Sequence, residues 1–385
     1  MSDKKQNIWV ISGEESGDIY GSRLINELKT KLPGDKLTVS AMGGARIAKT
    51  GAKMMVDATE LGVVGLLEVL SMIFTFIRIF YQLIKRAAKE KPDAVVLIDY
   101  PGFNLRFAAK LYKLGIPVIW YITPQVWAWK KGRIKKLAKY CTKMMVIFPF
   151  ETDVYAGTGL DTEFVGHPLV DVIRERANQE IIRDSNRFLL LPGSRKNEIN
   201  RLFVPMLETA CKLHQKHPDL KFTVSAPRKK VHDALTKIYD KFCSTHTEDI
   251  PSIEITYGDT GRWLQEASTG LAASGTVTVE CAIAELPLTV VYKLNPITFF
   301  LAKMLVDVPF FTMVNIICGK LVFEEFLQGD VNADTLSTSL EKILPGGERR
   351  EEIETGIKEM TESLSAGSGN ASKQAAECVL KCLKV

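Results

Sequence analysis

Gly270-Leu-Ala-Ala-Ser-Gly-Thr-Val-Thr-Val-Glu-Cys281 reads as a strand, a small-residue turn and a helix start. The apolar run Gly270–Ser274 ends at Gly275, and helical spacing runs on from Thr276 to about Glu285. Leu191-Pro-Gly-Ser-Arg195 repeats the plan behind the run Phe188–Leu191. A helix N-terminus offers unpaired N–H groups and the positive end of its dipole, a setting for a diphosphate. Glycine at such a turn lets the backbone approach a ligand closely. Glu280 lies about one turn inside the helix, where a carboxylate can accept both hydroxyls of a ribose. The same pattern also makes an ordinary βα unit with a tight turn, so this stretch by itself decides local fold rather than ligand.

The strand–helix alternation continues on both sides. Upstream, apolar runs at Asn7–Ser12, Leu37–Ala41, Pro92–Asp99, Pro117–Ile122 and Met144–Phe148 are separated by helical segments. Phe164-Val-Gly-His-Pro-Leu-Val-Asp171 reads as a linker with a Gly-His-Pro turn. The pattern then restarts at Phe188–Leu191 and runs through Phe222–Ala226, Ile253–Tyr257, Gly270–Ser274 and Leu288–Tyr292. The expected fold is α/β, with two doubly wound Rossmann-like domains facing a cleft. The expected boundaries are 1–170, 171–345, and 346–385 as C-terminal helices packing back on the first domain. At 385 residues the chain is also too long for one ordinary core.

Composition is ordinary for a globular protein, 46% hydrophobic and 25% charged, and a net charge of +5 does not call for nucleic acid. The seven cysteines contain no CxxC pair, which argues for reduced thiols and against a zinc site or a disulfide framework. The N-terminal Met-Ser-Asp-Lys-Lys-Gln leads straight into a strand, without the pattern of a secretory signal.

Three features of the first half carry chemistry. Gly13-Glu-Glu-Ser-Gly-Asp18 is a glycine-rich turn with acids at the helix mouth; these repel phosphate and suit sugar hydroxyls, although Ser16 or Asp18 could equally serve as a cap. Asp99 closes an apolar strand, the place where open parallel sheets bind ligands, and it is also a common capping position. The third feature is the helix Val63–Lys91. Its polar residues fall in one stripe, while Val69, Leu70, Ile73, Phe74, Phe76, Ile77 and Phe80 belong to an apolar surface about twice the ~100° that packing on a sheet requires. Glu68 and Arg78 argue against a transmembrane span. One apolar surface for the core and one for lipid is the preferred reading; burial between sheet, neighbour and dimer mate is the competing one. Lys130, Lys131, Arg133, Lys135, Lys136, Lys139 and Lys143 form a basic segment suited to anionic headgroups or to a solvated helix face. His167 reads as a hinge histidine held by backbone rather than a substrate ligand.

Two doubly wound domains, a linker and a nucleotide-type turn in the second match the plan of the B-type glycosyltransferases. In detail the chain resembles the lipid A disaccharide synthases, glycosyltransferase family 19, over nearly its whole length. The carriers are Ser12–Asp18, Ile98–Asn104, Thr123–Ile134, Phe148–Glu151, Val165–Asp171, Leu190–Ile199 and Ala273–Cys281, in that order. Pro124-Gln-Val-Trp-Ala-Trp129 together with Leu190-Leu-Pro-Gly-Ser-Arg195 is the specific part. The chain departs from the family pattern at Met313-Val-Asn-Ile316 and Phe323-Glu-Glu-Phe326.

The resemblance implies transfer of the sugar of UDP-2,3-diacylglucosamine to the 6-hydroxyl of 2,3-diacylglucosamine 1-phosphate, with inversion. The products are the β-1,6-linked disaccharide 1-phosphate of lipid A biosynthesis and UDP. It also implies roles. Asp99 would be the base. Gly193, Ser194, Arg195, Ser274, Gly275 and Thr276 would hold the diphosphate, Glu280 the ribose, and Asn315 would touch the nucleotide. Gly13, Glu14, Glu15, Ser16 and Gly17 would face sugar or acceptor. No cofactor or metal is expected, because a fixed cation and a helix mouth can take a metal's place. The expected setting is cytoplasmic, on the anionic face of the inner membrane, and a homodimer is compatible with it. The alternatives are another B-type sugar-nucleotide enzyme, such as a UDP-N-acetylglucosamine 2-epimerase, and a membrane-binding module with an inactive nucleotide site. An epimerase has no use for the wide apolar helix, and the intact set Asp99, Arg195 and Glu280 argues against an inactive module.

Overall fold

The computed structural model describes residues 5–58, 66–127, 131–177, 180–246, 249–295, 299, 309–366 and 370–383; the side chains of 66–73 and 131 lie outside that description. The chain divides into two compact units, Met1–Pro168 with Leu364–Val385, and Leu169–Ser363.

In the first unit, β1 (Gln6–Ser12), β2 (Leu37–Gly43), β3 (Lys53–Asp57), β4 (Ala94–Ile98), β5 (Val118–Tyr121), β6 (Lys143–Val146) and β7 (Asp161–Phe164) form one parallel sheet. Its order is β3-β2-β1-β4-β5-β6-β7. The central strands are apolar because helices cover both faces: Ala94–Ile98 is buried throughout. The pairing Ser12↔Ile98 brings the ends of β1 and β4 level. The order reverses between these two strands, so their following loops lead to opposite faces of the sheet and leave a crevice.

The second unit repeats the design. β8 (Asp184–Leu191), β9 (Lys221–Ala226), β10 (Ile253–Tyr257), β11 (Ala267–Ala273), β12 (Leu288–Tyr292) and β13 (Glu324–Leu327) pair in parallel in the order β10-β9-β8-β11-β12-β13. Here the reversal falls between β8 and β11, with Leu191 opposite Ala272. Sequence reading misses β3, β7 and β13. Each ends a sheet and is partly exposed at every residue, so each lacks the uninterrupted apolar run of a buried strand.

The helix Leu66–Glu90 turns Ile79, Leu83 and Ala87 into the core. Phe80 follows them, meeting Phe103 and Phe107 edge-on at centroid distances of 5.5 and 5.9 Å. This corrects the placing of Phe80 on the outward face: one position from Ile79, it still lies on the inward arc. Phe76 is half-buried, whereas Phe74, Ile77 and Tyr81 are 73, 48 and 60% exposed and share an outward stripe. Val69, Leu70 and Ile73 have side chains outside the described residues.

The expectation that 346–385 packs as one piece on the first domain meets a divided tail. The helix Arg350–Ser363 buries Ile353, Ile357 and Met360 in the second unit, with Gly356 against Val322. The helix Ala371–Cys382 belongs to the first unit, capped by the Asn370 side chain. Lys143 anchors it. This lysine, placed by the sequence reading in a basic surface segment, is instead buried in β6, its Nζ 2.7 Å from Glu163 and 3.0 Å from Asp161. Burial opposes its charge, but the bonds to Glu163 and Asp161 outweigh that and hold its pKa above the ordinary lysine value. Glu163 also meets Lys381 of the helix at 3.3 Å, and Cys378 Sγ lies 3.5 Å from it. Lys135, Lys136 and Lys139 remain exposed. Lys143→Ala is expected to cost the first unit ~2 kcal/mol in urea unfolding by leaving Glu163 half-paired. Lys381→Ala, at the exposed end of the same pairing, should cost under ~0.5 kcal/mol.

Candidate active site

The reversal point of the first sheet gathers a strained acidic corner. Asp99 and Tyr100, between β4 and the helix Pro101–Lys113, both have left-handed backbone, φ 46° and 47°. For residues with side chains this costs about 1–3 kcal/mol each, so something must hold them. Asn104 does: its buried Nδ2 donates to the Ile98 and Asp99 carbonyls at 3.2 and 2.7 Å, and the Asp99 N–H donates to Tyr121 at 3.1 Å. The Tyr100 ring then lies over Gly13, where a Cβ would come within 2.4 Å of it. Only glycine fits there. Gly17 packs as closely on Ser12, where an added Cβ would sit 2.4 Å from Oγ.

Glu14, Glu15 and Ser16 are exposed around this corner. Asp18 is not available to a ligand. Its carboxylate accepts the N–H groups of Gly44, Arg46 and Ile47 at 2.7, 2.9 and 3.1 Å and caps the helix Ala45–Lys49. Burial, followed by the nearby Glu14 charge, pushes the Asp99 carboxyl up to about 6, against a weaker opposing hydrogen bond from the Tyr100 backbone. Asp99 is thus a carboxylate that ionises close to neutrality, the property of a general base.

In the second unit the two turns quoted from the sequence flank the reversal point and line one cavity of about 350 Å³. Gly193, with φ 100°, Ser194 and Arg195 enter from β8; Ser274, Gly275, Thr276 and Glu280 enter from β11. The helices Lys196–Lys216 and Thr276–Ile283 both begin at this cavity, so the positive ends of two helix dipoles border it. Glu198 fixes the first turn: it accepts the Arg195 N–H at 3.3 Å and pairs with the guanidinium at 2.7 Å. Burial raises the Glu280 pKa, and the Arg176 charge partly opposes this. Ser225 and Thr260, hydrogen-bonded to each other at 2.8 Å, complete the opposite wall. Sequence reading assigned neither of them a role; the end of β9 was the available signal, one strand beyond β8.

Asn315 lies elsewhere, which corrects its expected contact with a nucleotide. Its Nδ2 donates to Phe323 and Glu325 at 2.8 and 2.7 Å, and its Oδ1 accepts from Val322 and Phe323 at 2.8 and 2.9 Å. Every polar atom of the side chain is used in joining the helix Met313–Cys318 to the segment leading into β13. His167 is buried, its ring 5.3 Å from Phe148, and burial lowers its pKa to about 4, so it is neutral. Among the described residues no group of acids, cysteines and histidines is arranged to hold a metal ion.

The family model for lipid-A-disaccharide synthetase matches residues 8–379. The chain belongs to the lipid A disaccharide synthase family. Relatives named lipid-A-disaccharide synthase are 35% identical in Syntrophotalea carbinolica, over 95% of this chain and 94% of theirs, and 38% identical in Coxiella burnetii, over 98% of each. Solved structures share the fold at low identity. The MnaA–UDP co-structure from S. aureus matches with a TM-score of 0.66 at 13% identity, over 98% of this chain and 97% of that one. Acinetobacter baumannii MurG matches with 0.57 at 13%, over 98% and 99%. Membership of the family makes the chain a UDP-sugar-dependent glycosyltransferase.

The raised Asp99 pKa has a measurable consequence for stability. Both folded and unfolded forms are protonated well below pH 4; as pH rises from 3.8 through about 6, the unfolded chain ionises first and gains the advantage. Asp99→Asn should therefore raise the stability of the first unit at pH 8, by ~3 kcal/mol, with the gain fading as pH falls towards 4. Thermal unfolding at the two pH values reads this directly.

Proposed function

We propose that the chain joins UDP-2,3-diacylglucosamine to 2,3-diacylglucosamine 1-phosphate by a single inverting displacement. The observation that carries this reading is the second-unit cavity, where both small-residue turns and Glu280 meet. The helix mouths and Arg195 would hold the diphosphate, and Glu280 would accept the ribose hydroxyls. As the anomeric bond breaks, charge builds on the departing UDP, and fixed N–H groups with a guanidinium stabilise it without reorganising. Asp99 would take the proton of the attacking 6-hydroxyl, with Glu14 and Glu15 beside it for sugar hydroxyls. No metal ion is required by this scheme. The first unit would serve the acceptor and the membrane, and the second the sugar nucleotide.

Both substrates carry acyl chains, and the outward stripe Phe74, Ile77 and Tyr81 gives them or their bilayer an apolar surface. Exposed Lys135, Lys136 and Lys139 suit anionic headgroups. No helix among the described residues is long and apolar enough to cross a membrane. The proposed setting is the cytoplasmic face of the inner membrane, with contact at the surface. Nothing here favours the epimerase alternative: its structural likeness is one of fold.

A mass-resolved assay with both substrates and EDTA should yield the disaccharide 1-phosphate and UDP; no product despite UDP binding would overturn the reading. Asp99→Asn should lower kcat about 10²–10⁴-fold and leave UDP affinity unchanged. The base works ionised, so kcat/KM should fall as pH drops through about 6. Glu14→Gln removes a charge that raises the Asp99 pKa, and should move this acid limb to lower pH. A triple change of Phe74, Ile77 and Tyr81 to Ser should release the protein from anionic vesicles without altering its melting temperature.

A further inference from the structure

The loops after β5 and β6 stand next to the Asp99 turn on the same edge of the first sheet, and one buried side chain ties them together. Glu151, 1% exposed, opens the short helix Glu151–Tyr155. Its Oε1 accepts the Thr123 hydroxyl at 2.8 Å and the Trp127 indole N–H at 3.3 Å. Its Oε2 accepts the Ile147 and Phe148 backbone N–H groups at 3.3 and 3.2 Å. All four partners donate in this arrangement, and three of them are N–H groups that can only donate, so the carboxylate form satisfies them best.

The loop needs such a clamp. Ile122, between β5 and Thr123, is β-branched yet left-handed, with φ 63°. Trp120 Nε1 donates to its carbonyl at 3.1 Å on one side, and the Thr123–Glu151 bond holds the next residue on the other. The β5 backbone reaches the Asp99 turn directly, because the Asp99 N–H donates to Tyr121. Trp127 is pinned further by Phe150, edge-on at 5.0 Å.

We propose that Glu151 is a positioning residue for sugar transfer: through its four hydrogen bonds the ionised carboxylate holds the Thr123–Trp127 loop and its indole in a working shape beside Asp99. This rests on the reading of the Asp99 edge as the place of reaction. The holding is pH-sensitive. Burial lifts the Glu151 carboxyl to about 7, against the opposing bonds from Thr123, Phe148, Ile147 and Trp127. Protonation would turn one carboxylate oxygen into a donor. Of the four partners only the Thr123 hydroxyl can rotate to accept it, so its own bond to Glu151 reverses, the bonds from the three N–H groups weaken, and part of the loop is released. The other titratable groups around it do not compete near neutrality. Burial and the Glu151 charge push the Tyr155 phenol well above its ordinary value, burial pushes the Cys141 thiol up to about 12, and His167, beside Phe148, is neutral.

The test compares Glu151→Gln, Glu151→Asp and Thr123→Val in the full chain, with Asp99→Asn alongside. Glu151→Gln keeps the shape but offers one acceptor and one donor, and kcat is expected to fall about ten- to a hundredfold while UDP affinity stays within twofold. Glu151→Asp, which keeps the charge, should recover part of that loss, and Thr123→Val should show a smaller loss. Tryptophan fluorescence of the unsubstituted protein should titrate near pH 7, and the change should vanish in Trp127→Phe. A folded Glu151→Gln with unchanged kcat overturns the proposal. So does a loss of activity in these variants that only tracks loss of folded protein or of UDP binding. If Glu151→Gln fails to fold, Thr123→Val and the titration decide: full kcat, or no transition assigned to Trp127, overturns it. An active Asp99→Asn would overturn the underlying reading of the Asp99 edge, a separate outcome.

Discussion

Everything in this chain hangs on the point in each sheet where strand order turns back on itself. In a parallel sheet the crossover hand is fixed, so adjacent strands whose connections leave in opposite directions must open a gap at their C-terminal ends. The first sheet does this between β1 and β4, the second between β8 and β11. The acidic corner and both small-residue turns follow these four strands directly. The first gap is bordered by the Glu14–Ser16 segment and Asp99, the second by the 193–195 and 274–276 turns. Two copies of one architectural rule thus produce two sites of opposite electrical character.

That difference comes from what closes each gap. In the second unit helices of 21 and 8 residues start at the turns, and their N-terminal ends and dipoles favour an anion. In the first unit the helix Glu15–Lys31 also starts at the gap, but Glu14 and Glu15 occupy its mouth and Asp18 caps a different helix. Negative charge is therefore concentrated beside Asp99, where burial, with the Glu14 charge adding to it, pushes the carboxyl up to about 6. The two gaps thus differ in the charge they suit: the first concentrates carboxylates, the second favours an anion.

The alternation of apolar runs with helical spacing was enough to find ten of the strands' cores, and the two glycine-rich turns of the second unit fall where their spacing placed them. What escaped had a common cause. β3, β7 and β13 are edges, and their partly exposed residues, two of them glutamates in Glu324-Glu-Phe-Leu327, give no buried run. Asn315 and Lys143 are polar residues consumed inside the fold, and only the partners that surround them reveal it. Asn104 and Glu151 were quoted as parts of motifs without an assigned role, because the strained backbone that each one holds is invisible in composition. Periodicity reports which face is buried; it does not report which polar group is spent.

The two-faced helix Leu66–Glu90 marks the same boundary in another way. A wheel with apolar residues around most of its circumference cannot say which stripe meets the sheet, since both satisfy a 3.6-residue period. Ring packing resolves it. Phe80 docks on Phe103 and Phe107, and Phe103 stacks on Tyr100, whose ring covers Gly13. A continuous aromatic path therefore runs from the inner stripe to the strained turn carrying Asp99. Once Phe80 is committed inward, a rotation of the helix that buried Phe74 and Ile77 would withdraw the rings that support Tyr100. The outward stripe stays exposed because the inner one is already needed to support the Asp99 turn. An exposed apolar stripe and a supported Asp99 turn are in this sense two faces of one helix's packing.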